Sequence, residues 1–259
     1  MRRSTFIIAP ALLIAVAAGP AQAGANLITD GTFNQGIPFT ANSQFGSAGY
    51  ANLPGWSVTA ANGSTPFDLW FIASTSTTVG ATTQYGSANQ FLRADAGADS
   101  ASADFVGLDG ATGGAQGTLW QSLSNLTVGT DYKLSFDWAA GQLATGSGGF
   151  KEAIAFNLGT SALTSTTGAP TTSTFSAAST GGFSGWSTQT YTFRATSANE
   201  ILSFLSYGTA GEPPFALIDG ISMYAVPEPG TLALLGGSLL LAATIRRRMK
   251  VLPSITPRQ

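Results

Sequence analysis

The chain has 259 residues, with 11 Lys and Arg against 13 Asp and Glu, so its formal net charge is −2. It contains no His and no Cys, which excludes disulfides, Ser–His–Asp and Cys–His nucleophiles, conventional zinc sites and imidazole bases. A carboxylate hydrolase would need two acids facing one cleft. No single motif supplies such a pair, so we expect that the protein is not an enzyme.

The N-terminus has the three parts of a secretory signal peptide. Two arginines follow the initiating Met, an apolar stretch covers residues 6–18, and the small residues Ala21 and Ala23 follow with one residue between them. This order predicts a signal peptide over residues 1–23 that is cut after Ala23. The expected partners are the Sec translocon and signal peptidase, which would place the body outside the inner membrane.

The exported body is predicted as one domain over residues 24–225, long enough to bury a core without disulfides. Between residues 24 and 226 there are four cations and twelve acids, a net charge of −8. Nucleic acids need clustered Lys and Arg. We therefore expect no nucleic-acid partner.

Short alternating runs separated by Gly, Asn, Ser and Thr predict an all-β body. The clearest run is Asp131–Trp138, whose even-numbered residues are all apolar and therefore share one face of a strand. Further strands are predicted at residues 26–29, 56–59, 67–72, 90–93, 118–126, 154–158, 191–193, 200–207 and 215–224. The short turn between 118–126 and 131–138 predicts a hairpin. Without amphipathic helices for crossovers, these strands indicate an antiparallel sandwich or barrel.

Two segments, residues 75–87 and 159–182, are rich in Thr, Ser and Gly and carry few large apolar side chains. They predict long, mobile loops or a weak hairpin. Three Asp-Gly pairs, which begin at Asp30, Asp109 and Asp219, are interpreted as turns or strand ends.

Aromatic residues are the other candidate machinery, because sugar-binding proteins stack sugar rings on them. Trp138 lies on the apolar face of its strand and is predicted in the core, together with Trp56 and Trp186. Trp70 and Trp120 are left undetermined. The candidates for a stacking platform are Trp70, Tyr85 and Tyr207, and Arg93 is interpreted as an ion-pair partner.

Three short motifs carry a resemblance: NLITDGTF at 26–33, LPGW at 53–56 and DGIS at 219–222. Over roughly residues 26–224 the chain resembles the galactose-binding-like jelly roll, which many carbohydrate-binding modules share. The resemblance implies an antiparallel jelly-roll β-sandwich that binds glycan. It also leaves open a structural Ca²⁺, with Asp219 as the first candidate ligand and Asn34 where the family often has an acid. No other cofactor is expected.

The chain ends in the motif Val226-Pro227-Glu228-Pro229, the apolar run Thr231–Ile245, and the cations Arg246, Arg247, Arg248 and Lys250. The prolines prevent a helix from continuing through the motif. The fifteen uncharged residues of the run span roughly 22 Å as a helix. They predict a short transmembrane helix, and the cations mark its cytoplasmic end.

This three-part order resembles the PEP-CTERM sorting signal of Gram-negative bacteria. The resemblance implies that an exosortase, a membrane-embedded cysteine transpeptidase, removes the helix and passes the protein toward the cell surface or extracellular matrix. It also implies an association with exopolysaccharide and biofilm. We predict the sorting signal over residues 226–250 and a cytoplasmic tail over 251–259. Two alternatives remain open: a plain membrane-anchored periplasmic domain, and a purely structural or adhesive glycosylated subunit.

Overall fold

The computed structural model describes most of the predicted body. The described residues are 24–35, 43–44, 53–60, 69–73, 79–82, 89–91, 104–110, 116–142, 147–178, 183–209, 214–226 and 238. The predicted signal peptide and cytoplasmic tail, and the predicted transmembrane helix apart from residue 238, lie outside these ranges. No helix in the described ranges is long and apolar enough to cross a membrane.

The described residues form thirteen strands. They are β1 (Ser43–Gln44), β2 (Ser57–Ala60), β3 (Leu69–Ala73), β4 (Val79–Thr82), β5 (Asn89–Phe91), β6 (Asp104–Asp109), β7 (Gly117–Leu123), β8 (Asp131–Gln142), β9 (Phe150–Gly159), β10 (Phe175–Ala177), β11 (Ser187–Arg194), β12 (Glu200–Gly208) and β13 (Pro214–Ala225). One sheet has the order β11-β8-β13-β6-β3-β1-β4-β5, and the other has the order β10-β9-β12-β7-β2. The described pairings are antiparallel except that between β1 and β4. The predicted all-β, antiparallel sandwich is confirmed.

The core lies between the two sheets, and β8 shows why the chain folds this way. Its alternating apolar side chains are all buried, as predicted: Tyr132, Leu134, Phe136 and Trp138. The ring of Phe136 lies 5.2 Å from the rings of both Phe156 and Phe204. Since Phe156 is on β9 and Phe204 on β12, this aromatic cluster joins the two sheets edge to face.

The predicted hairpin between residues 118–126 and 131–138 is wrong. β7 pairs with β12 and β2, whereas β8 pairs with β11 and β13, so the two strands lie in different sheets. Seven residues separate β7 from β8, more than the two to five that close most hairpins. Leu126 in this connection is buried in the core, which stabilises the crossing between sheets.

The predicted strand at residues 26–29 is also wrong: the Leu27 N–H donates to the Met223 carbonyl at 2.9 Å, but side-chain amides make the neighbouring contacts in place of a regular ladder. The carboxamide oxygen of Asn26 accepts a hydrogen bond from the Met223 N–H at 3.0 Å. The side chain of Gln121 exchanges two hydrogen bonds with the backbone of Thr29, at 2.8 and 2.9 Å. The segment is therefore irregular, but it is fixed to both sheets.

The described part of the predicted mobile loop at 159–182 is hydrogen-bonded to the smaller sheet. The Thr118 hydroxyl donates to the Leu163 carbonyl at 2.7 Å, and the Leu163 N–H donates to the Ser203 hydroxyl at 3.2 Å. Thr118 and Ser203 lie on the outer face of the smaller sheet, so this segment covers that face and ends in β10. Small hydroxyl side chains fasten it where large apolar anchors are missing. In the other predicted loop, residues 79–82 form β4.

We expect Phe136→Ala to destabilise the sandwich by about 3–5 kcal/mol, because it removes the ring that joins the two sheets and leaves a cavity. The measurement is the free energy of unfolding in denaturant. The matched control is Val128→Ala at a side chain that is 60% exposed, where we expect a change within about 0.5 kcal/mol. Equal costs at the two positions would contradict the central role of Phe136.

Candidate functional site

The C-terminal junction is the first functional feature, and β13 builds it. This strand lies between β8 and β6 in the larger sheet. Its last residue, Ala225, pairs with Tyr132, and the next N–H, that of Val226, donates to the Asp131 carbonyl at 2.8 Å. The folded body therefore continues, without a linker, to the first residue of the predicted sorting motif.

The other predicted sorting and processing residues lie outside the described residues. These are Pro227, Glu228, Pro229, Arg246, Arg247, Arg248, Lys250, Ala21 and Ala23. Their individual roles remain predictions.

A surface pocket of about 320 Å³ is the second feature. It is lined by Lys151, Thr174, Tyr207, Gly208 and Thr209. The Lys151 N–H donates to the Thr209 hydroxyl at 2.8 Å, and the Thr209 N–H donates to the Lys151 carbonyl at 3.0 Å. The pocket thus combines a half-buried phenol ring, an exposed ammonium group and two hydroxyl-bearing residues on a hydrogen-bonded frame.

The pocket lies at the opposite end of the sandwich from the junction. β13 begins at Pro214, which pairs with Gln142 at the end of β8. Next to it, Phe215 pairs with Asp109, and the N–H of Gly208 in the pocket donates to the Gly110 carbonyl at 2.9 Å. β13 is 12 residues long, and at about 3.3 Å per residue the two ends are roughly 35 Å apart.

Beneath the pocket, Glu152 points between the sheets and is fully buried. One carboxyl oxygen accepts a hydrogen bond from the Ala153 N–H at 3.3 Å, and the other has no hydrogen-bond partner. A Cβ at Gly110 or Gly208 would collide with this carboxyl group, and one at Gly208 would also collide with the Lys151 carbonyl, so the backbone itself requires glycine at position 208. Burial raises the pKa of Glu152 well above its usual range, and nearby Asp109 raises it further.

Asp30 forms the turn that was predicted for it. It has a φ of 49°, and one carboxyl oxygen accepts hydrogen bonds from the N–H groups of Asn34 and Gln35 at 3.0 and 3.1 Å. The carbonyl of Asp30 accepts the indole N–H of Trp56 at 3.0 Å. Burial raises the pKa of Asp30, against the lowering effect of these two backbone hydrogen bonds.

Asp219 lies inside the strand predicted over residues 215–224, and not at the turn or strand end that its Asp-Gly pair suggested. Asp109 ends β6 as expected, but Asp219 is inside β13, at a bulge between Asp219 and Ser222. It is buried, and its carboxylate accepts the Gly220 N–H at 2.7 Å. Gly220 supplies the φ of 59° that the bulge needs. In the described ranges, no group of three or more His, Cys, Asp or Glu residues is arranged to hold a metal ion.

The predicted aromatic residues separate into core and surface. Trp56 and Trp138 are buried in the core, as predicted. Trp186 instead is half-buried and packs against Phe105 with its ring 5.4 Å away. Of the three candidates for a stacking platform, Tyr207 alone has a described side chain, and it lines the pocket. The side chain of Trp70, and the residues Tyr85 and Arg93, lie outside the description.

Sequence reasoning missed Lys151, Thr174 and Thr209 as neighbours of Tyr207. Lys151 precedes a buried Glu on a strand, so the alternation of exposed and buried side chains indicated its outward direction. Its hydrogen-bond partner, Thr209, is 58 positions away along the chain. A pattern within a single strand cannot reveal that contact.

Comparison with known proteins identifies the C-terminal segment. Residues 225–248 match the PEP-CTERM protein-sorting motif. The chain is therefore a β-sandwich protein that carries a PEP-CTERM sorting motif. The motif implies export, membrane anchoring before sorting to the surface, and processing by an exosortase. No curated protein matches the chain in sequence.

Several solved structures resemble the body, and carbohydrate-binding modules are among them. TmCBM61, solved in complex with β-1,4-galactotriose, is 17% identical, and the match covers 78% of this chain and 99% of that one, with a TM-score of 0.37. The CBM22-1 xylan-binding domain of Paenibacillus barcinonensis Xyn10C is 12% identical, with 81% and 99% covered and a TM-score of 0.36. The enzymatically active domain of bacteriophage CBA120 tailspike protein 4 is 13% identical. There the match covers 78% of this chain but only 21% of that one, with a TM-score of 0.35.

We expect Glu152→Gln to stabilise the body near neutral pH by about 1–3 kcal/mol, since it replaces a buried carboxyl group with a neutral one of the same shape. Because the folded pKa is raised, Glu152 contributes stability that is fully present below its ordinary value of 4.5 and is lost as the pH rises through the folded pKa. The measurement is the unfolding free energy against pH. The variant should lack that part of the loss.

The matched control for this measurement is Glu200→Gln. Glu200 is also buried, but one of its carboxyl oxygens accepts the N–H groups of Thr196 and Ser197 at 2.9 and 3.1 Å. Substitution there weakens charge-assisted hydrogen bonds and should lower stability. Parallel pH profiles for wild type and Glu152→Gln would contradict the proposed origin of the raised pKa.

Proposed function

We propose that this protein is an exported surface or extracellular-matrix protein whose β-sandwich binds glycan of an exopolysaccharide or biofilm matrix after an exosortase has removed its C-terminal helix. The observation that carries the proposal is the placement of two features at opposite ends of one folded domain. The sorting motif begins where β13 ends at Ala225, and the pocket around Tyr207 lies where β13 begins.

The chemistry of the pocket suits a neutral or acidic sugar. An aromatic ring offers an apolar face with a polar edge, and the ring of Tyr207 is half-buried, so one part of it is held while another is accessible. Thr174 and Thr209 carry hydroxyl groups that both donate and accept hydrogen bonds, and Lys151 donates as a cation. Few polar groups beside an apolar surface are typical of small-molecule sites.

We propose that the pocket binds glycan without cleaving it. Glycoside hydrolysis needs two carboxylates on either side of the scissile bond, and none of the five pocket residues is an acid. Glu152 is the adjacent acid on β9, but its side chain is on the interior face of the strand and fully buried. A sugar in the pocket would therefore contact hydrogen-bond donors and an aromatic ring, but no carboxylate from the lining residues.

We expect Tyr207→Ala to weaken retention on the host's own polysaccharide by about tenfold, given that loss of a stacking ring typically costs about 1–1.5 kcal/mol. The measurement is affinity electrophoresis of the protein purified from its host. The matched control is Tyr191→Ala, at a tyrosine that is 40% exposed on β11, which should leave retention unchanged. If wild type and Tyr207→Ala migrate alike in gels with and without the polysaccharide, glycan binding at this pocket is refuted.

A second function, that of a glycosylated structural subunit, is favoured by the segment over 160–178. It presents exposed hydroxyl residues to solvent: Thr160, Ser161, Thr164, Ser165, Thr167, Thr171, Ser173, Thr174 and Ser176. If this is its role, peptides from the segment should carry added hexose masses in protein from the host. The body should then show no saturable affinity for polysaccharide.

A further inference from the structure

We propose that the end of the sandwich from which the chain leaves for its membrane anchor is itself a membrane-contacting surface that binds anionic phospholipid headgroups before exosortase processing. This inference rests on the membrane anchoring in the proposed function and is independent of glycan binding. The terminal surface is defined by five residues: Val128, Lys133, Arg194, Tyr224 and Val226.

Exposed apolar side chains concentrate at this end. In the described ranges the exposed large hydrophobic residues are Val128 (60%), Tyr191 (40%), Tyr224 (38%) and Val226 (37%). Val226 donates its N–H to the Asp131 carbonyl, and Val128 is in the turn that leads directly to Asp131. Tyr224 is two residues before Val226 on the same strand. Three of the four exposed apolar side chains therefore lie together, at one tip of an otherwise polar, acidic body.

Two cations lie in the same place. Lys133 is exposed and pairs with Tyr224 across β8 and β13. Arg194 pairs with Asp131 across β8 and β11, with its guanidinium nitrogen 3.5 Å from the Asp131 carboxylate and 70% of its side chain exposed. The body has only four cations, and Lys151 is at the opposite end. Because Arg194 is paired with Asp131, whose side chain is 47% exposed, the net positive charge of this tip comes from Lys133.

The length of the tether limits how far this tip can lie from the bilayer. Five residue steps separate Val226 from Thr231, where the apolar run begins, and an extended chain covers at most about 18 Å in five steps. The headgroup layer occupies roughly the outer 5–7 Å of each bilayer leaflet. At physiological ionic strength, charges act over about 8 Å. A tip held this close meets headgroups in most orientations of the body.

The chemistry of the tip matches that environment. Tyrosine is enriched at membrane–water interfaces, because its ring is apolar and its hydroxyl is wet. Lys and Arg side chains are attracted to an anionic membrane surface. Gly24 also lies here, with room for a Cβ 3.8 Å from that of Ala225. Signal cleavage after Ala23 would therefore add an α-ammonium group to the same surface.

The test uses the absence of cysteine from the chain, which allows single labels in the full protein. Val128→Cys labels the terminal surface, and Ser147→Cys labels an exposed position beyond the end of β8 at the opposite end. Each labelled full chain is reconstituted into vesicles of phosphatidylcholine with about 30% phosphatidylglycerol, and quenching by a nitroxide on the headgroup is measured. We expect strong quenching at position 128 and little at position 147.

Adding Lys133→Gln and Arg194→Gln to the Val128→Cys chain should reduce its quenching by roughly half, as should high salt, because both remove the attraction to anionic lipid. Equal quenching at positions 128 and 147 overturns the proposal. Quenching at position 128 that is unchanged by the Lys133→Gln and Arg194→Gln substitutions also overturns it. If the terminal surface binds exosortase and not lipid, these vesicles, which contain no exosortase, will give equal quenching at the two positions and the proposal fails. If the full chains do not co-float with the vesicles, membrane anchoring is contradicted, and this inference with it. Glycan binding is measured in a separate experiment, and its outcome does not depend on this one.

Discussion

The hydrogen bonding of β13 on both of its edges is the constraint on which the rest of the structure depends. This strand pairs with β8 from Pro214 to Ala225 and with β6 from Phe215 to Ile218. Its inward side chains, among them Ile218 and Met223, are fully buried in the core. Because the sorting motif starts at the next residue, the last structural strand and the processing signal share one continuous backbone. A cut before Ala225 would remove part of β13, which packs against the core, so a cut that leaves the strand intact must come after Ala225.

The two proposed sites lie at opposite ends of one strand. The pocket with Tyr207 and Lys151 lies where β13 begins, and the exposed tip with Val128 and Tyr224 lies where it ends. A body held to the bilayer at its tip would therefore direct the pocket away from it, by roughly 35 Å at the rise of an extended strand. The same orientation serves a protein that is later released into a matrix, since the pocket is already accessible before the cut.

Much of the fold could be predicted because the strongest patterns are local. The alternation through Phe136 and Trp138 identified β8 and its buried face. The same local reasoning failed at residues 118–138, where a turn was visible but the partner of each strand was not. It also failed at Asn26–Thr29, because Gln121, which holds that segment, is more than ninety positions away. Pairing between distant strands depends on packing of the whole domain, and a single strand's pattern does not contain it.

The candidate sites divide along the same line. The sorting motif is a contiguous sequence signal, so it could be identified in full from its prolines, apolar run and cations. The pocket brings together residues from β9, β12 and the covering segment, and Tyr207 was its one member that could be named beforehand. Glu152 gave no signal at all, because a lone glutamate that follows a lysine near the start of a strand looks like any surface glutamate. Its burial becomes evident only when Gly110 and Gly208 are seen to surround the carboxyl group.

The most direct test of the account is the intact mass and the C-terminal peptide of the protein isolated from its native host. The account predicts a chain that ends within residues 226–229, with β13 complete and the helix removed. A mature protein that still yields the peptide with Arg246, Arg247 and Arg248 would contradict exosortase processing. The body would then be a permanently anchored domain on the outer side of the inner membrane.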